Sequence, residues 1–494
     1  MALPNLLNLN FLVPYVAGKL DFSRAIRGLR GMPRRLLLVG HKLASGAAAA
    51  NTMMTISTEA DAVFQFGEGS MLVQMWRAAK ANVDLGVPMD CISIAPNGSA
   101  VAATSIIVVT NAGNLSMPGE VMLYIGGVRI SIGVTTADTQ ITVAARLIAA
   151  INANAALPVT AAATANTNEV KLTARWGGLT GNDIDVRGTY YPDDRLPNGL
   201  TLTIPAMAGG STSPDLTPLI AAMAWYRATE LVVPFMDSTN MAILEAELAT
   251  RWLQNNMQDG QVINAMRGTE ATITTWLNTR NSPHVHTIAT TKDCTNPWET
   301  ASMAGAAIES MAAIDPAQPH TGVPLLGYKG PKQGDHWTID QLNNLLLAGA
   351  SPLDVQPDYT ATLLRMVSNY TMTAGGAADR SMSSVNWLKT MSYYRWFVVT
   401  EFEIKYRGFK IAEYVDEPIP GQKIMTQDLG EEIMLGLYSQ LMAVGLVQNK
   451  QYYQDSLVVE IDGPNGKLKI QDEPVIITQH YQTEVTSSVV AGHV

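Results

Sequence analysis

His284 and His286 stand two apart in the run HVHTIAT, a spacing that sets two imidazoles on one face of a strand. Paired imidazoles bind zinc, and Asp293 and Cys294 follow as further possible donors. A zinc ion that activates water needs three protein ligands, and no third histidine or carboxylate stands nearby in a recognised arrangement. The pair therefore reads as two core histidines with hydrogen-bond partners. FGEGS (Phe66 to Ser70) resembles the start of a dinucleotide-binding fingerprint, but Leu72 occupies the third glycine position and the stretch follows a helix. A turn and a helix cap fit it better. GNDIDV (Gly181 to Val186) lacks the oxygen-ligand spacing and terminal Glu of a calcium loop, and reads as a turn entering a strand. No G-x-S-x-G elbow and no P-loop occur. The sequence thus holds no catalytic constellation, implies no cofactor or metal, and favours a protein that is not an enzyme. A metal-dependent α/β hydrolase with a β accessory domain is the enzymatic alternative, and a surface adhesin is a third.

The elements around these residues alternate. RRLLLVG (Arg34 to Gly40) and DCISIAP (Asp90 to Pro96) read as buried strands, with a helix-turn-helix over STEADAVFQFGEGSMLVQMWRAAKANV between them. From Asp215 the pattern resumes as helix, ELVVPF, helix, QVINAMRG, helix, HVHTIAT, helix, which predicts a mostly parallel sheet covered by helices. Between about 97 and 212 the chain turns rich in Thr, Val, Ala and Gly, with strand-like runs and one alanine-rich helix, TQITVAARLIAAINAN. Residues 315 to 378 read as irregular, with Pro316, Pro319, Pro324, Pro331, Pro352 and Pro357. A long helix follows over SVNWLKTMSYYRWFVVTEFEIKYRG, then an amphipathic helix over TQDLGEEIMLGLYSQLMAVGLVQN, then a hairpin around Gly463 to Gly466.

The two ends look different. In DEPVIITQHYQTEVTSSVVAGHV, Val475, Ile477, Tyr481, Val485 and Val489 fall on one face, the period-two mark of a half-buried strand. At ~3.3 Å per residue it would reach about 50 Å. Near the other end Leu7, Leu9, Phe11, Val13 and Tyr15 alternate in the same way. A strand without a partner is a template for another chain, and strands at both ends would make each copy a link between others. The alternative is that both ends fold back onto their own domain. Donor and acceptor surfaces differ, so the contact would be heterologous and would build rings or helical tubes. Charge agrees: Lys19, Arg24, Arg27, Arg30, Arg34 and Arg35 follow the first strand, while Glu401, Glu403, Glu413, Asp416, Glu417, Glu431, Glu432, Asp472 and Glu473 lie toward the other end.

The 494 residues are 47% hydrophobic and only 15% charged, ample for large cores and thin in surface charge. The net charge of -10 gives no reason to expect nucleic acid as a partner. Two cysteines, Cys91 and Cys294, form no disulfide framework and suit a reducing compartment. Asparagines and prolines break the apolar first twenty residues, a poor secretion signal, and no run is long and apolar enough for a membrane span, so no membrane partner is expected. The expected fold class is α/β and β multidomain. It has an N-terminal arm (1–35), an α/β core (36–96 plus 213–390), an inserted β-rich domain (97–212), a C-terminal α+β domain (391–474) and a C-terminal strand arm (475–494).

Several stretches resemble the Mu-like family of contractile tail sheath proteins: FGEGSMLVQMWRAAKAN, LYIGGVRISIGVTTADTQITVAARLIAAINANAALPVTAAA, KLTARWGGLTGNDIDV, GLTLTIPAMAGGSTSPDL and ILEAELATRW. The likeness runs with gaps from about residue 60 to 255 and more loosely beyond; the first thirty residues and about 360 to 415 share only the general layout. The resemblance implies a virion tail protein, assembled in the host cytoplasm, that polymerises with itself as a helical tube around an inner tail tube protein. It implies baseplate and tail terminator proteins as further partners. It also implies an innermost C-terminal domain, an outward insert, arms that exchange strands, and contraction that drives the tube through the host envelope without nucleotide hydrolysis. The helix from about Leu429 to Val447, with Glu431, Glu432, Leu435 and Tyr438, is the candidate tube-facing element; plain core packing is its other reading.

Overall fold

A computed structural model describes residues 30–83, 86–111, 115, 117–415 and 421–488. The first proposed arm strand, Leu7 to Tyr15, and Val489 lie outside the described residues. The chain divides into two compact units, one of residues 32–404 with 476–494 and one of residues 1–31 with 405–475.

The larger unit is organised by an eight-stranded sheet. Its order is Ala361–Leu363, Ala350–Val355, Val285–Thr290, Gln261–Arg267, Glu230–Val232, Leu36–His41, Met89–Ile94, Met53–Thr55. The interior pairs are parallel and the two edge pairs antiparallel. LLLVGH, MDCISI and VHTIAT are buried at every position, which is why these strands read as continuous rather than alternating runs: helices cover both faces. The helix Pro297–Ile314 is buried along most of its length. Pro at its first turn needs no amide partner there, and the Glu299 carboxylate accepts the Asn296 N–H at 3.4 Å. Gly305 lets this helix approach the sheet: a Cβ there would lie 3.1 Å from Ile263 and 3.2 Å from Val232.

Between the third and fourth of these strands in chain order lie two further sheets. One has the order Leu200–Thr203, Ala102–Asn111, Glu169–Gly177, Val159–Ala163; the other is Val128–Val134, Gly119–Ile125, Val186–Arg187. Here the strands alternate buried and exposed residues, as antiparallel sheets with one solvated face do. Gly126 and Gly127, at φ 54° and 78°, form the two-residue turn of the hairpin read as LYIGGVRI. The helix Gln140–Ala153 buries Val143, Ala144, Leu147 and Ile151. This region shares one apolar core with the large sheet, and Trp176 meets Trp298 edge-on at 5.5 Å.

The stretch 315–378 is not irregular throughout. It contains the helix Ile339–Ala348 and the strands Ala350–Val355 and Ala361–Leu363, the second of which is the sheet's edge. Thr338 and Gln341 close a capping box and Gly349 ends the helix in the left-handed conformation. Prolines concentrated around these signals obscure them, and Pro352 sits near the sheet edge, where a missing N–H is tolerated.

The C-terminal unit pairs Lys410–Ile411 with Ile424–Met425, then runs through the helices Gln427–Ala443 and Lys450–Ser456 into the hairpin Val458–Asp462 and Lys467–Gln471. Tyr438 and Tyr453 stack at 3.7 Å, both buried. Gly430 lies under the hairpin, where a Cβ would meet Val459 at 3.0 Å. No described helix is long and apolar enough to cross a membrane.

Candidate assembly surfaces

The two histidines of the HVH run have other partners than a metal. His284 stacks on Trp252 at 4.7 Å, and burial, helped by the Arg395 charge, holds it down to about 4. His286 reaches Glu230 Oε1 with its Nε2 at 2.6 Å. Among the described residues no three His, Cys, Asp or Glu side chains are grouped to hold a metal ion. Cys91 and Cys294 are buried thiols. In FGEGS, Gly67 and Gly69 turn the chain, Ser70 accepts the Val73 N–H at 3.2 Å, and Glu68 forks onto Arg77 at 2.8 and 3.0 Å. In GNDIDV, Asn182 exchanges two hydrogen bonds with Gly210, at 2.9 and 2.8 Å. Both stretches are turns, as their departures from the motifs require.

His286 leads instead to a buried ion cluster. Lys389 donates to Glu230 Oε2 at 2.7 Å and also to Glu309. Arg34 approaches Glu309 at 3.5 Å, and Thr229 donates to it at 2.7 Å. Burial alone would raise the Glu309 carboxyl, but Lys389 and Arg34 hold it at about 2. Burial would lower the Lys389 ammonium, and Glu230 and Glu309 raise it instead. Two carboxylates and two cations balance, which is the condition for keeping charge inside a protein. The cluster fixes the helix Val385–Lys405 on the sheet. Asn386 adds a hydrogen bond to the Gln318 carbonyl at 2.6 Å, and Thr390 one to the Pro316 carbonyl at 3.1 Å.

The surfaces lie elsewhere. In the C-terminal segment Ile477 is half-buried, Gln479 is 7% exposed, and Tyr481 lies with its ring 4.3 Å from the Arg365 guanidinium carbon. Val475 belongs to the other unit, where its N–H donates to the Tyr438 hydroxyl at 3.2 Å and its carbonyl accepts from Gln448 at 2.9 Å. From Gln482 to Ser488 every residue is exposed, Val485 at 79%, and no strand is assigned between Ile477 and Ser488. Gln479 shares the sequence parity of Ile477 and Tyr481; counting only apolar residues passes over the most buried side chain of the segment. On the helix Gln427–Ala443, Glu432 is exposed, Glu431 and Leu435 are half-buried, and Tyr438 faces the interior, its hydroxyl donating to the Gln448 carbonyl at 2.5 Å. Among the described residues the hairpin Val458–Gln471 has two strands, and Val458 at the start of the first is 50% exposed.

Residues 209–368, spanning the sheet from before Glu230 to beyond Leu363, match the family described as the phage tail sheath protein central domain. The Mu-like prophage FluMu tail sheath protein of Haemophilus influenzae is 32% identical over 457 residues, 92% of each chain. Among solved structures, the sheath tail protein from Desulfitobacterium hafniense aligns over 94% of this chain and 100% of its own, at 12% identity and a TM-score of 0.47. The helical sheath of the anti-feeding prophage in its contracted state aligns over 96% and 99%, at 11% identity and a TM-score of 0.49. With relatedness to the Haemophilus protein over nearly the full length, the chain belongs to the phage tail sheath proteins, a structural family of the viral tail.

Proposed function

We propose that this chain polymerises with itself as a helical tube around an inner tail tube protein, joins baseplate and terminator proteins at its ends, and contracts to drive the tube through the host envelope. Terminal strands exchanged between copies are the ties that survive contraction. In this reading residues 36–96 with 213–390 form the rigid body, 97–212 face outward, and 391–474 lie innermost with Glu431, Glu432 and Leu435 toward the tube. Tyr438 then supports that helix from inside. Rigid bodies that rotate about intact links give a large change in shape with no chemical step in the subunit.

The observation that carries this reading is the pairing of an exposed strand-like segment with an incomplete sheet in the same chain. Every residue from Gln482 to Ser488 is exposed, and among the described residues the hairpin Val458–Gln471 pairs with no third strand. A two-stranded hairpin gains from a third strand, and main-chain hydrogen bonds supply affinity without a deep pocket. Deletion of Val475 to Val494 should leave a folded protein that forms no tubes by negative-stain electron microscopy. Normal tubes from the shortened chain would refute strand exchange.

A further inference from the structure

We infer that the C-terminal segment has two parts, an anchor held on its own subunit through Tyr481 and an exchanged part that begins at Gln482. The inference rests on the strand-exchange reading above and adds where the exchange starts and what holds the near end.

The anchor is built around the loop Pro316–Gln318, which follows the helix Pro297–Ile314. The Gln479 amide donates to the Ala317 carbonyl at 3.1 Å from a position only 7% exposed. The carbonyls on either side are taken by Thr390 and Asn386 of the helix Val385–Lys405. Three consecutive carbonyls of one loop thus hold the tail and the long helix together, and that helix is locked to the sheet by Lys389 on Glu230 and Glu309. A buried amide that lost its partner would pay the full desolvation cost, so Gln479 resists being pulled out. Two residues on, Tyr481 lies against the Arg365 guanidinium, a second clasp on the same side of the chain.

Beyond Tyr481 the contacts with the rest of the unit give way to exposed chain, with Thr483 hydrogen-bonded back to His480 at 2.8 Å within the segment. Gln482, Thr483, Glu484 and Val485 are all exposed, and no described contact on this unit covers Val485. Val485, 79% exposed, keeps the sequence parity of Ile477 and Tyr481 beyond the anchor, and under the strand-exchange reading its heterologous partner is a second copy of this chain. Anchoring keeps the exchanged part short of slack: freeing residues 476–481 would add about 20 Å of loose chain and lower the effective concentration of the strand at its acceptor.

The test uses spin labels on the full-length, unassembled protein, whose two native cysteines are buried. Labels are placed at His480→Cys and Val485→Cys, both outward-facing positions. The expected spectrum is several-fold slower at 480 than at 485. Adding Gln479→Ala or, separately, Arg365→Gln should bring 480 close to the mobility of 485 while circular dichroism stays that of the parent. Equal mobility at the two positions in the parent, or no change at 480 in either variant, would overturn the anchor. A chain ending at Tyr481 separates this from the wider reading. Tubes from that chain would refute strand exchange whatever the labels show, and loss of tubes with the label contrast intact would support both.

Discussion

Val39 and Val485 are the same residue in two strand-like runs, with opposite surroundings. Val39 is fully buried in LLLVGH, between parallel neighbours on both sides and helices on both faces; Val485 is 79% exposed in a segment with no strand assignment. The α/β unit satisfies its apolar runs and even its charges within one chain. The tail satisfies itself only as far as Tyr481. Under the strand-exchange proposal the exposed part of the tail takes its partner from another copy. The contrast therefore separates folding from assembly, and substitutions in the two regions should separate them too.

The largest effect is expected inside. Lys389→Met would leave Glu230 and Glu309 buried without their shared cation, and breaking such a cluster costs about 3–5 kcal/mol. Urea denaturation should show it, and an unchanged midpoint would mean that the cluster is relaxed or hydrated. Gly305→Val would press a side chain between the helix and the sheet, costing about 1–3 kcal/mol by overpacking; a melting temperature equal to the parent's would contradict the packing described.

Acid should act on the same interior. Burial holds His41 and His284 at about 4 and His320 at about 3, while the unfolded chain protonates its histidines near pH 6.5. Between these values the unfolded state binds the extra protons, so stability falls as pH drops below 6.5. Burial also raises Asp293 to about 6 and Glu299 to about 7, so in part of that window the folded state holds protons that the unfolded state has released, which opposes the trend. Burial raises Asp183 and Glu245 as well, and against these the three histidines, which in the unfolded chain titrate across the middle of the window, carry the net loss toward acid. The melting temperature should be lower at pH 5 than at pH 7, and an equal or higher value at pH 5 would reverse the sign.

Smaller effects belong to the C-terminal unit and the tail. Tyr438→Phe removes a hydroxyl that bonds the Gln448 carbonyl and the Val475 N–H, worth about 1 kcal/mol, and should raise amide exchange around 448 and 475. Ending the chain at Tyr481 removes only exposed residues among those described and should shift stability by less than about 0.5 kcal/mol. A large loss of stability on that truncation would place the tail inside its own fold and dissolve the contrast.

Much of the sheet is legible in the sequence because burial on both faces writes itself as unbroken apolar runs, as in LLLVGH and VHTIAT. The hairpin at Gly126 and Gly127 is legible because two adjacent glycines between apolar runs suit the positive-φ positions of a two-residue turn. The helix Ile339–Ala348 carries a readable signal, Thr338 with Gln341 and then Gly349, but the prolines around it outweigh the cue. The ion cluster is different in kind. Glu230, Glu309 and Lys389 are separated by dozens of residues and meet only through the fold, so no spacing announces them. Glu230 alone gives a hint, a carboxylate opening the apolar run ELVV. In the tail, Gln479 stands between Ile477 and Tyr481 in the alternation and is held by a hydrogen bond to a loop more than a hundred residues away, which apolar counting does not register.

The most direct measurement is an electron cryomicroscopy reconstruction of tubes assembled from the full-length protein, resolved well enough to trace main chain. The expected result is that residues from Gln482 onward run as a strand beside the hairpin Val458–Gln471 of a neighbouring copy, while Gln479 and Tyr481 stay on their own subunit. A tail folded entirely back on its own chain, with each hairpin paired to nothing from a neighbour, would contradict the account.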